Sequence, residues 1–182
     1  ISQIKTMCDF ANVPEPNIFS EFGSCTVGES GANFYSILGA KHQNDRELWY
    51  MIDSSFMTTL PDSWAINKRF IMFPLNKWNR PYERVLLGGL TCDSDDYYNS
   101  EQHVNAIFLP RLRNLDEEPL MIGFFNTGAY QESLSGYGGT KHCLLPAPKH
   151  VVVDRDDEGQ VTSKLFADEQ SAATMLNTLG YE

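Results

Sequence analysis

The stretch Val85-Leu-Leu-Gly-Gly-Leu-Thr-Cys-Asp-Ser-Asp-Asp96 contains the features from which both a fold and a site can be predicted. Its first three residues are apolar and include a β-branched side chain, which predicts a buried strand. A glycine pair follows, and then Cys92 with three carboxylates close behind it. Carboxylates this close together repel one another and resist desolvation, so the cluster indicates that a cation binds there and that the thiol acts on the molecule carrying it. The alternative is a polar loop with an incidental cysteine.

The composition indicates a globular chain with an acidic surface. Its 182 residues, 42% of them hydrophobic, suffice for one domain or slightly more. The formal net charge of −10 argues against nucleic acid or an anionic membrane as a partner and fits a cationic small molecule, although an acidic surface also serves solubility. No apolar run approaches the roughly 20 residues that span a bilayer, and no leader sequence is recognised. The chain begins at Ile1 inside an apolar pattern, which we interpret as a start within a longer protein.

The cysteines and histidines show no spacing typical of a metal site. The four cysteines are widely separated and form no C-x-x-C pair, so neither a disulfide framework nor a zinc site is predicted. The four histidines are scattered in the same way. We therefore expect a reducing environment, the cytoplasm.

Periodicity predicts a helix, a short strand and a second helix in the N-terminal part of the chain. Apolar residues at helical spacing predict a helix over residues 2–12, which Pro14 and Pro16 end. A short strand is predicted over 17–20 and another helix over 29–39. Together these elements make one step of an α/β layer or barrel.

The remainder of the chain is predicted to be mainly β. Six or more short strands are expected between residues 45 and 166, which favours a β-barrel or sandwich. A hairpin is predicted around residues 156–159, and a last helix is predicted with Asp168 as its cap and Gly180 as its stop. The other predicted strands are 48–52, 70–75, 84–91, 106–109 and 120–125, and residues 133–140, with three glycines, are predicted to be a flexible loop.

Four motifs resemble the C-terminal part of the pyridoxal-phosphate-dependent decarboxylases of basic amino acids, which have the alanine-racemase-like fold. Within that family the motifs are most similar to those of the biosynthetic arginine decarboxylases, and the resemblance extends over nearly the whole chain. The motifs are Phe19-Ser-Glu-Phe-Gly23, Leu60-Pro-Asp-Ser-Trp64, Thr91-Cys-Asp-Ser-Asp95 and Gly123-Phe-Phe-Asn-Thr-Gly-Ala-Tyr-Gln-Glu132.

The resemblance implies two domains. Residues 1–43 would be the C-terminal remnant of a cofactor-binding (β/α)8 barrel, and residues 44–182 the C-terminal β domain with its terminal helix. The lysine that forms the family's Schiff base lies early in the barrel, and no matching strand is found here. The resemblance therefore implies that this chain alone is inactive. It also lacks the helical insertion of many arginine decarboxylases, since only the polar residues 41–46 stand at that position.

The resemblance assigns several residues to pyridoxal phosphate. Glu21 would pair with the pyridinium nitrogen, whose protonated form is the electron sink. Gly23 would let the backbone approach the phosphate, and Tyr130 would contact the phosphate across a dimer interface. Ser24 stands where the family usually has an arginine, so a hydroxyl replaces a charge in the phosphate contact. Mg²⁺ is a further candidate cofactor.

The resemblance also assigns residues to the substrate. Cys92 would reach into the neighbouring subunit's site and protonate the α-carbon after decarboxylation. Asp93 would receive the distal cation of the substrate with help from Asp95, whereas Asp96 is expected to be solvated. The loop 133–140 either covers the site or is an ordinary solvent loop.

Two functions of different class remain open. The first is part of a homodimeric decarboxylase with shared sites that converts arginine to agmatine and CO2 for polyamine biosynthesis. The second is a non-catalytic regulatory or binding homologue. The retained Cys92, Asp93 and Glu21 favour the first. Ornithine, lysine and diaminopimelate remain alternative substrates, because charge alone does not distinguish them from arginine.

Overall fold

The computed structural model describes residues 1–43, 45–98, 107–113, 118–135 and 140–181. In these ranges the chain forms a seven-stranded sheet, a separate two-stranded hairpin and short helices. The strands are β1 (Ala32–Gln43), β2 (Glu47–Ile52), β3 (Ile71–Pro74), β4 (Tyr82–Gly88), β5 (Tyr97–Tyr98), β6 (Ile107–Pro110), β7 (Leu120–Phe125), β8 (His150–Arg155) and β9 (Val161–Ala167). The helices are α1 (Ser2–Ala11), α2 (Gly23–Val27), α3 (Phe56–Thr59), α4 (Asp62–Ala65) and α5 (Ala172–Thr178), and 3-10 turns occur at Gly28–Ser30, Gln131–Ser135 and His142–Leu144.

The large sheet curls into a half-barrel. Its strand order is β3-β7-β1-β2-β4-β5, and β6 also pairs with β4. Strand β1 pairs with β7 through its first half and with β2 through its second half, and its register with β2 shifts between Ile37 and Gly39. Such an irregularity bends and twists a strand, which helps the sheet to curl. Strand β2 runs parallel to β4, so the start of the 85–96 stretch lies inside the sheet.

The hydrophobic core is built on this sheet and is rich in aromatic rings. Phe124 on β7 packs edge-on against Tyr35, Phe56 and Tyr98, with centroid separations of 5.7, 5.7 and 4.9 Å. Edge-to-face pairs of this kind stabilise a core beyond their buried area. Phe56 belongs to α3, so this short helix is fixed to the sheet directly beside the loop that follows β4.

The mainly β fold with a closing helix is confirmed. The structure confirms the helix over residues 2–12, the hairpin around 156–159 and Gly180 as the stop of the last helix, where its φ is +86°. Of the predicted strand 106–109, only residues 107–109 lie among the described residues, and they belong to β6. In the predicted loop 133–140, residues 136–139 lie outside the described residues, and the preceding turn Gln131–Ser135 is a 3-10 helix.

The helix predicted over residues 29–39 is wrong, because these residues enter strand β1. Tyr35 and Ile37 are buried, whereas Phe34 and Leu38 on the opposite face are 55% and 61% exposed. Apolar residues on both faces of a strand produce spacings that also match a helix. Pairing with β7 and β2 on its two sides decides in favour of the strand. The domain boundary predicted after residue 43 therefore falls at the end of strand β1, which belongs to the large sheet.

The strand predicted over residues 17–20 is also not formed, so the predicted βα step is absent from the described part of the chain. Residues 13–22 have no regular structure, and Phe19 is 93% exposed. A strand requires a hydrogen-bonded neighbour, and none pairs with this segment.

The predicted cap of the last helix is wrong. Ser171, not Asp168, is the N-cap of α5, and its hydroxyl accepts a hydrogen bond from the backbone N–H of Thr174. The apolar residues at helical spacing, Ala172, Met175, Leu176 and Leu179, predict an inward face for this helix, but only Met175 is buried, whereas Leu176 and Leu179 are 50% and 45% exposed. None of the described helices has the length and apolar character needed to cross a membrane.

Candidate functional site

The loop after β4 is held by the buried carboxylate of Asp96. One of its oxygens accepts hydrogen bonds from the backbone N–H groups of Phe56 and Met57, at 2.8 and 3.3 Å. The other accepts from the backbone N–H and the hydroxyl of Thr91, at 2.9 and 2.6 Å. The prediction that Asp96 is solvated is therefore wrong, because this side chain is 6% exposed and fully hydrogen-bonded.

Gly89 is the residue that lets this carboxylate fit. A β-carbon at position 89 would lie 2.2 Å from an oxygen of Asp96. Gly89 N–H also donates to the backbone carbonyl of Asp96 at 2.9 Å, which closes the loop onto the end of β4. The second glycine of the motif is therefore explained by close packing around the buried acid.

Cys92 and Asp93 lie at the tip of this loop. Cys92 is exposed and Asp93 is half-buried. An oxygen of Asp93 accepts a hydrogen bond from the backbone N–H of Asp95 at 2.9 Å, which fixes the carboxylate. Nε2 of His142 lies 3.8 Å from the other oxygen. The loop thus presents a thiol and an oriented carboxylate side by side.

Cys143 lies against Cys92, a contact that the sequence analysis did not predict. The two sulfur atoms are 3.7 Å apart, and both cysteines are exposed free thiols. The hydrogen bond between the two thiols raises the pKa of Cys92 above the usual value for a cysteine.

Asp95 lies apart from this pair. It lines a small cavity of about 130 Å³ whose wall includes Trp64, Arg69 and Tyr97 but neither Cys92 nor Asp93. An arginine in the same wall makes this cavity a poor place for a second cation. The shared role predicted for Asp93 and Asp95 thus remains a prediction, and the geometry favours Asp93 for it.

The residues assigned to the cofactor lie on the N-terminal segment and after β7. Glu21 lies in the irregular segment before α2, Ser24 lies within α2, and both are exposed. The hydroxyl oxygen of Tyr130 lies 4.0 Å from the position that a β-carbon of Gly23 would occupy, although the two residues are far apart in sequence. Tyr130 is 55% exposed and has a φ of +65°. The structure therefore brings Gly23 and Tyr130 together.

Buried polar contacts connect the segment around Tyr130 and Gln131, which follows β7, to the loop that carries Cys92. Helices α3 and α4 lie between them in this connection. Gln131, which is 1% exposed, donates from its amide nitrogen to the carboxylate of Asp62 at 2.7 Å. Asp62 begins α4, directly after α3, whose first N–H groups bond to Asp96. The motifs at 60–64, 91–95 and 123–132 are thus connected in space by side-chain hydrogen bonds.

A buried ion pair connects the same region to the turn that carries Cys143. Lys141, 4% exposed, contacts an oxygen of Glu132 at 2.5 Å, and Nε2 of His150 lies 3.2 Å from the other oxygen. Lys141 immediately precedes the His142–Leu144 turn. No pattern in the sequence indicates this cluster, because its three members stand on separate segments.

The residues present fit parts of a pyridoxal-phosphate site. Gly23 leaves open space beside the Tyr130 hydroxyl, and a glycine backbone with a hydroxyl suits a phosphate. None of the four motifs contains a lysine. Within the described ranges no group of three or more His, Cys, Asp or Glu side chains could hold a metal ion.

Comparison with known proteins shows which folds and sequences this chain is similar to. No protein-family model matches the chain. Its fold is similar to that of the biosynthetic arginine decarboxylase of Campylobacter jejuni (TM-score 0.67, 16% identity, 98% of this chain and 42% of that chain). It is also similar to the diaminopimelate decarboxylase of M. jannaschi (TM-score 0.63, 19% identity, 96% of this chain and 36% of that chain). The fold is therefore the one found in the alanine-racemase-like amino acid decarboxylases.

Sequence similarity narrows the relationship within that class. The chain is 34% identical over 131 residues to the biosynthetic arginine decarboxylase of Proteus mirabilis, which covers 70% of this chain and 20% of the relative. It is 38% identical over 113 residues to that of Marinobacter nauticus, which covers 60% of this chain and 17% of the relative. The chain is thus related to the pyridoxal-phosphate-dependent decarboxylases of basic amino acids, and in sequence to the biosynthetic arginine decarboxylases. It spans about a fifth of the length of these curated relatives.

Proposed function

We propose that this chain is the C-terminal part of a pyridoxal-phosphate-dependent decarboxylase that converts arginine to agmatine and CO2. The observation that supports this most is the convergence of four separate motifs. Asp62, Asp96 and Gln131 hold three of them together, and Tyr130 brings the fourth, at Gly23, to the same region. Such buried polar contacts specify one arrangement of the loops that carry Cys92 and Asp93.

Asp93 is proposed to bind the guanidinium group of arginine. Its carboxylate is half-buried and is oriented by the N–H of Asp95. A carboxylate binds a guanidinium through charge-assisted hydrogen bonds, which are stronger than neutral ones. The net charge of −10 also favours the approach of a cationic substrate.

Cys92 is proposed to deliver a proton to the α-carbon of the substrate. Its thiol lies next to Asp93 and is exposed, so it can reach a substrate bound by that carboxylate. The reaction consumes arginine and one proton and releases agmatine and CO2, and solvent returns the proton to the sulfur. Pyridoxal phosphate, when bound, supplies the electron sink for the electron pair that CO2 leaves behind.

The N-terminal segment and Tyr130 are proposed to hold the cofactor together with a barrel from the same complete protein. The Gly23 backbone, the Ser24 hydroxyl and the Tyr130 hydroxyl would contact the phosphate, and Glu21 would keep the ring nitrogen protonated. We place the domain boundary at the start of β1 rather than after residue 43, because β1 belongs to the sheet. A second copy of the protein would then receive Cys92 across a homodimer interface.

The test is turnover by the complete protein, with CO2 release measured separately from arginine, ornithine, lysine and diaminopimelate. Cys92→Ala should lower turnover about 10²- to 10⁴-fold, the usual contribution of a positioned acid. Cys8→Ala, on the distant helix α1, is the matched control and should leave turnover unchanged. Asp93→Asn should raise the KM for arginine.

Release of CO2 from arginine in preference to the other three amino acids supports the proposed substrate. If none of the four releases CO2 although the protein shows the absorbance of bound pyridoxal phosphate, the non-catalytic homologue is the better description. Unchanged turnover in Cys92→Ala would remove the proposed role of the thiol.

A further inference from the structure

Cys92 and Cys143 form a pair of exposed thiols at the proposed site. Their sulfur atoms are 3.7 Å apart, although 51 positions separate the residues in sequence. An S–S bond is about 2.0 Å long, so the sulfurs need to approach by less than about 2 Å to form one. The other two cysteines, Cys8 and Cys25, stand on helices α1 and α2 and are also free.

Specific contacts bring the two thiols together. The turn that carries Cys143 follows Lys141, whose buried ion pair with Glu132 fixes its start. His142 in the same turn lies against Asp93, the neighbour of Cys92. The loop of Cys92 is held from the other side by Asp96. Both cysteines are therefore at the tips of short turns with fixed bases, where a small movement of a side chain does not disturb a strand.

The backbone of this turn is unusual at Cys143. Its φ of +53° and ψ of +25° lie in the left-handed region, which few residues other than glycine adopt. Leu144, the next residue, has a φ of +57°. A backbone conformation of this kind persists only where surrounding contacts hold it. In this conformation the sulfur of Cys143 lies against that of Cys92.

We propose that Cys92 and Cys143 form a reversible disulfide when the protein meets a peroxide, and that this modification switches off the proposed decarboxylase. With hydrogen peroxide, one thiol loses its proton and the resulting thiolate attacks an oxygen atom, which breaks the O–O bond and gives a sulfenic acid and hydroxide; the hydroxide takes up the released proton and becomes water. The thiolate of the partner cysteine then attacks the sulfenic sulfur and expels hydroxide, which takes up a proton. In sum, two thiols and one peroxide give one disulfide and two waters, and the sulfurs are oxidised while the peroxide is reduced.

The effect on activity rests on the proposed function. A disulfide carries no S–H proton, so Cys92 in this state cannot protonate a substrate carbon. The Cys143 sulfur would also stand beside Asp93, where the substrate cation is proposed to bind. Reduction by a dithiol returns both thiols and therefore the activity.

The first experiment detects the bond without reference to activity. The protein is treated with one equivalent of hydrogen peroxide, remaining thiols are alkylated, and tryptic peptides are mapped by mass spectrometry. Cleavage at the flanking basic residues places Cys92 in the peptide 85–111 and Cys143 in the peptide 142–149. We expect these two peptides to be joined. Cys143→Ser should abolish the joined peptide, and Cys25→Ser, which removes another exposed thiol, should leave it intact.

The second experiment measures turnover of the complete protein before oxidation, after oxidation and after reduction with dithiothreitol. We expect a loss of about tenfold or more on oxidation, in keeping with removal of a general acid, and full recovery on reduction. Turnover of Cys143→Ser after oxidation, measured relative to turnover of the same variant before oxidation, should show no loss that dithiothreitol reverses. Absence of the joined peptide would overturn the proposal. A joined peptide with undiminished turnover would support the pairing and overturn the role given to Cys92, so the two failures are distinguishable.

Discussion

Asp96 differs from Asp93 and Asp95 in its surroundings, although the three carboxylates stand within four residues of sequence. Asp96 accepts four hydrogen bonds in a buried position, whereas Asp93 is half-buried and Asp95 is exposed. The cluster that the sequence presents as one feature is therefore three separate features. Asp96 holds the loop, Asp93 is oriented at its tip, and Asp95 lines a neighbouring cavity.

Replacement of Asp96 by asparagine should lower the free energy of unfolding by about 1–3 kcal/mol, the effect of leaving buried donors without partners. The amide has a single acceptor oxygen, so the donors on its –NH2 side lose their partner. Urea denaturation of the chain measures the change. Asp95→Asn is the matched control, since this side chain is exposed and should alter stability by less than about 0.5 kcal/mol. Equal effects of the two substitutions would contradict the structural role of Asp96.

Part of the site could be predicted at this scale and part could not. The pairing of a thiol with carboxylates was visible in Cys92 and Asp93, because neighbours in sequence stay neighbours in a loop. The burial of Asp96 was not visible, because it depends on N–H groups 40 positions earlier in the chain. The contact with Cys143 was hidden for the same reason.

At the scale of elements, the 3-10 turn Gly28–Ser30 and the segment after β7 cross at very close range. Gly128 N–H donates to the carbonyl of Gly28 at 2.9 Å, and Thr127 N–H donates to the carbonyl of Gly31 at 3.0 Å. A β-carbon at Gly128 would lie 2.2 Å from the backbone oxygen of Val27. Backbone cannot yield in the way that the end of a flexible side chain can, so this crossing requires glycine.

Gly128→Ala should therefore destabilise the chain by about 1–3 kcal/mol or more, the range typical of overpacking. The shift in the thermal unfolding midpoint measures this effect. Gly39→Ala, within β1, is the matched control because nothing lies within 4 Å of its β-carbon position. A control substitution that destabilises as strongly as Gly128→Ala would show that the loss of glycine, rather than the close crossing, is responsible.

Whether a segment forms a helix or a strand could be predicted where its apolar residues fitted only one of the two periodicities. It could not be predicted where they fitted both. The strands β2, β3 and β7 are short apolar runs bounded by polar residues, and their existence was predicted correctly. Strand β1 carries Phe34 and Leu38 on one face and Tyr35 and Ile37 on the other, so a helical period fitted equally well. Only pairing with its two neighbours in the sheet distinguishes a strand from a helix here. Such pairing cannot be inferred from a short stretch of sequence.

At the scale of the whole molecule, residues 1–27 stand out because none of them is buried. Phe10 and Phe19 are 88% and 93% exposed, and Ile1 is 93% exposed. Exposed apolar side chains in such number mark a surface that contacts another part of a protein. The proposed barrel is the partner that fits, because the 131 matched residues make up only 20% of the Proteus mirabilis relative, which contains much more chain than this one.

Phe10→Glu distinguishes a covered surface from a free one. In the isolated 182-residue chain, the substitution should leave the midpoint of urea unfolding unchanged and reduce binding of a hydrophobic dye. In the complete protein, it should destabilise the fold by about 2 kcal/mol or more, since a charge would be buried without a partner. Equal behaviour in both proteins would contradict the proposed arrangement of domains.

The close packing of Gly89 against the carboxylate of Asp96 limits which substitutions position 89 can accept during evolution. Every amino acid substitution that a one-base change in a glycine codon can produce adds a β-carbon, and each would strike the same carboxylate. Every amino acid replacement that one base change can produce at position 89 therefore carries this clash, whereas the exposed Ser94 in the same loop has no such constraint. Related chains that retain the loop should keep glycine at position 89 and vary more freely at position 94.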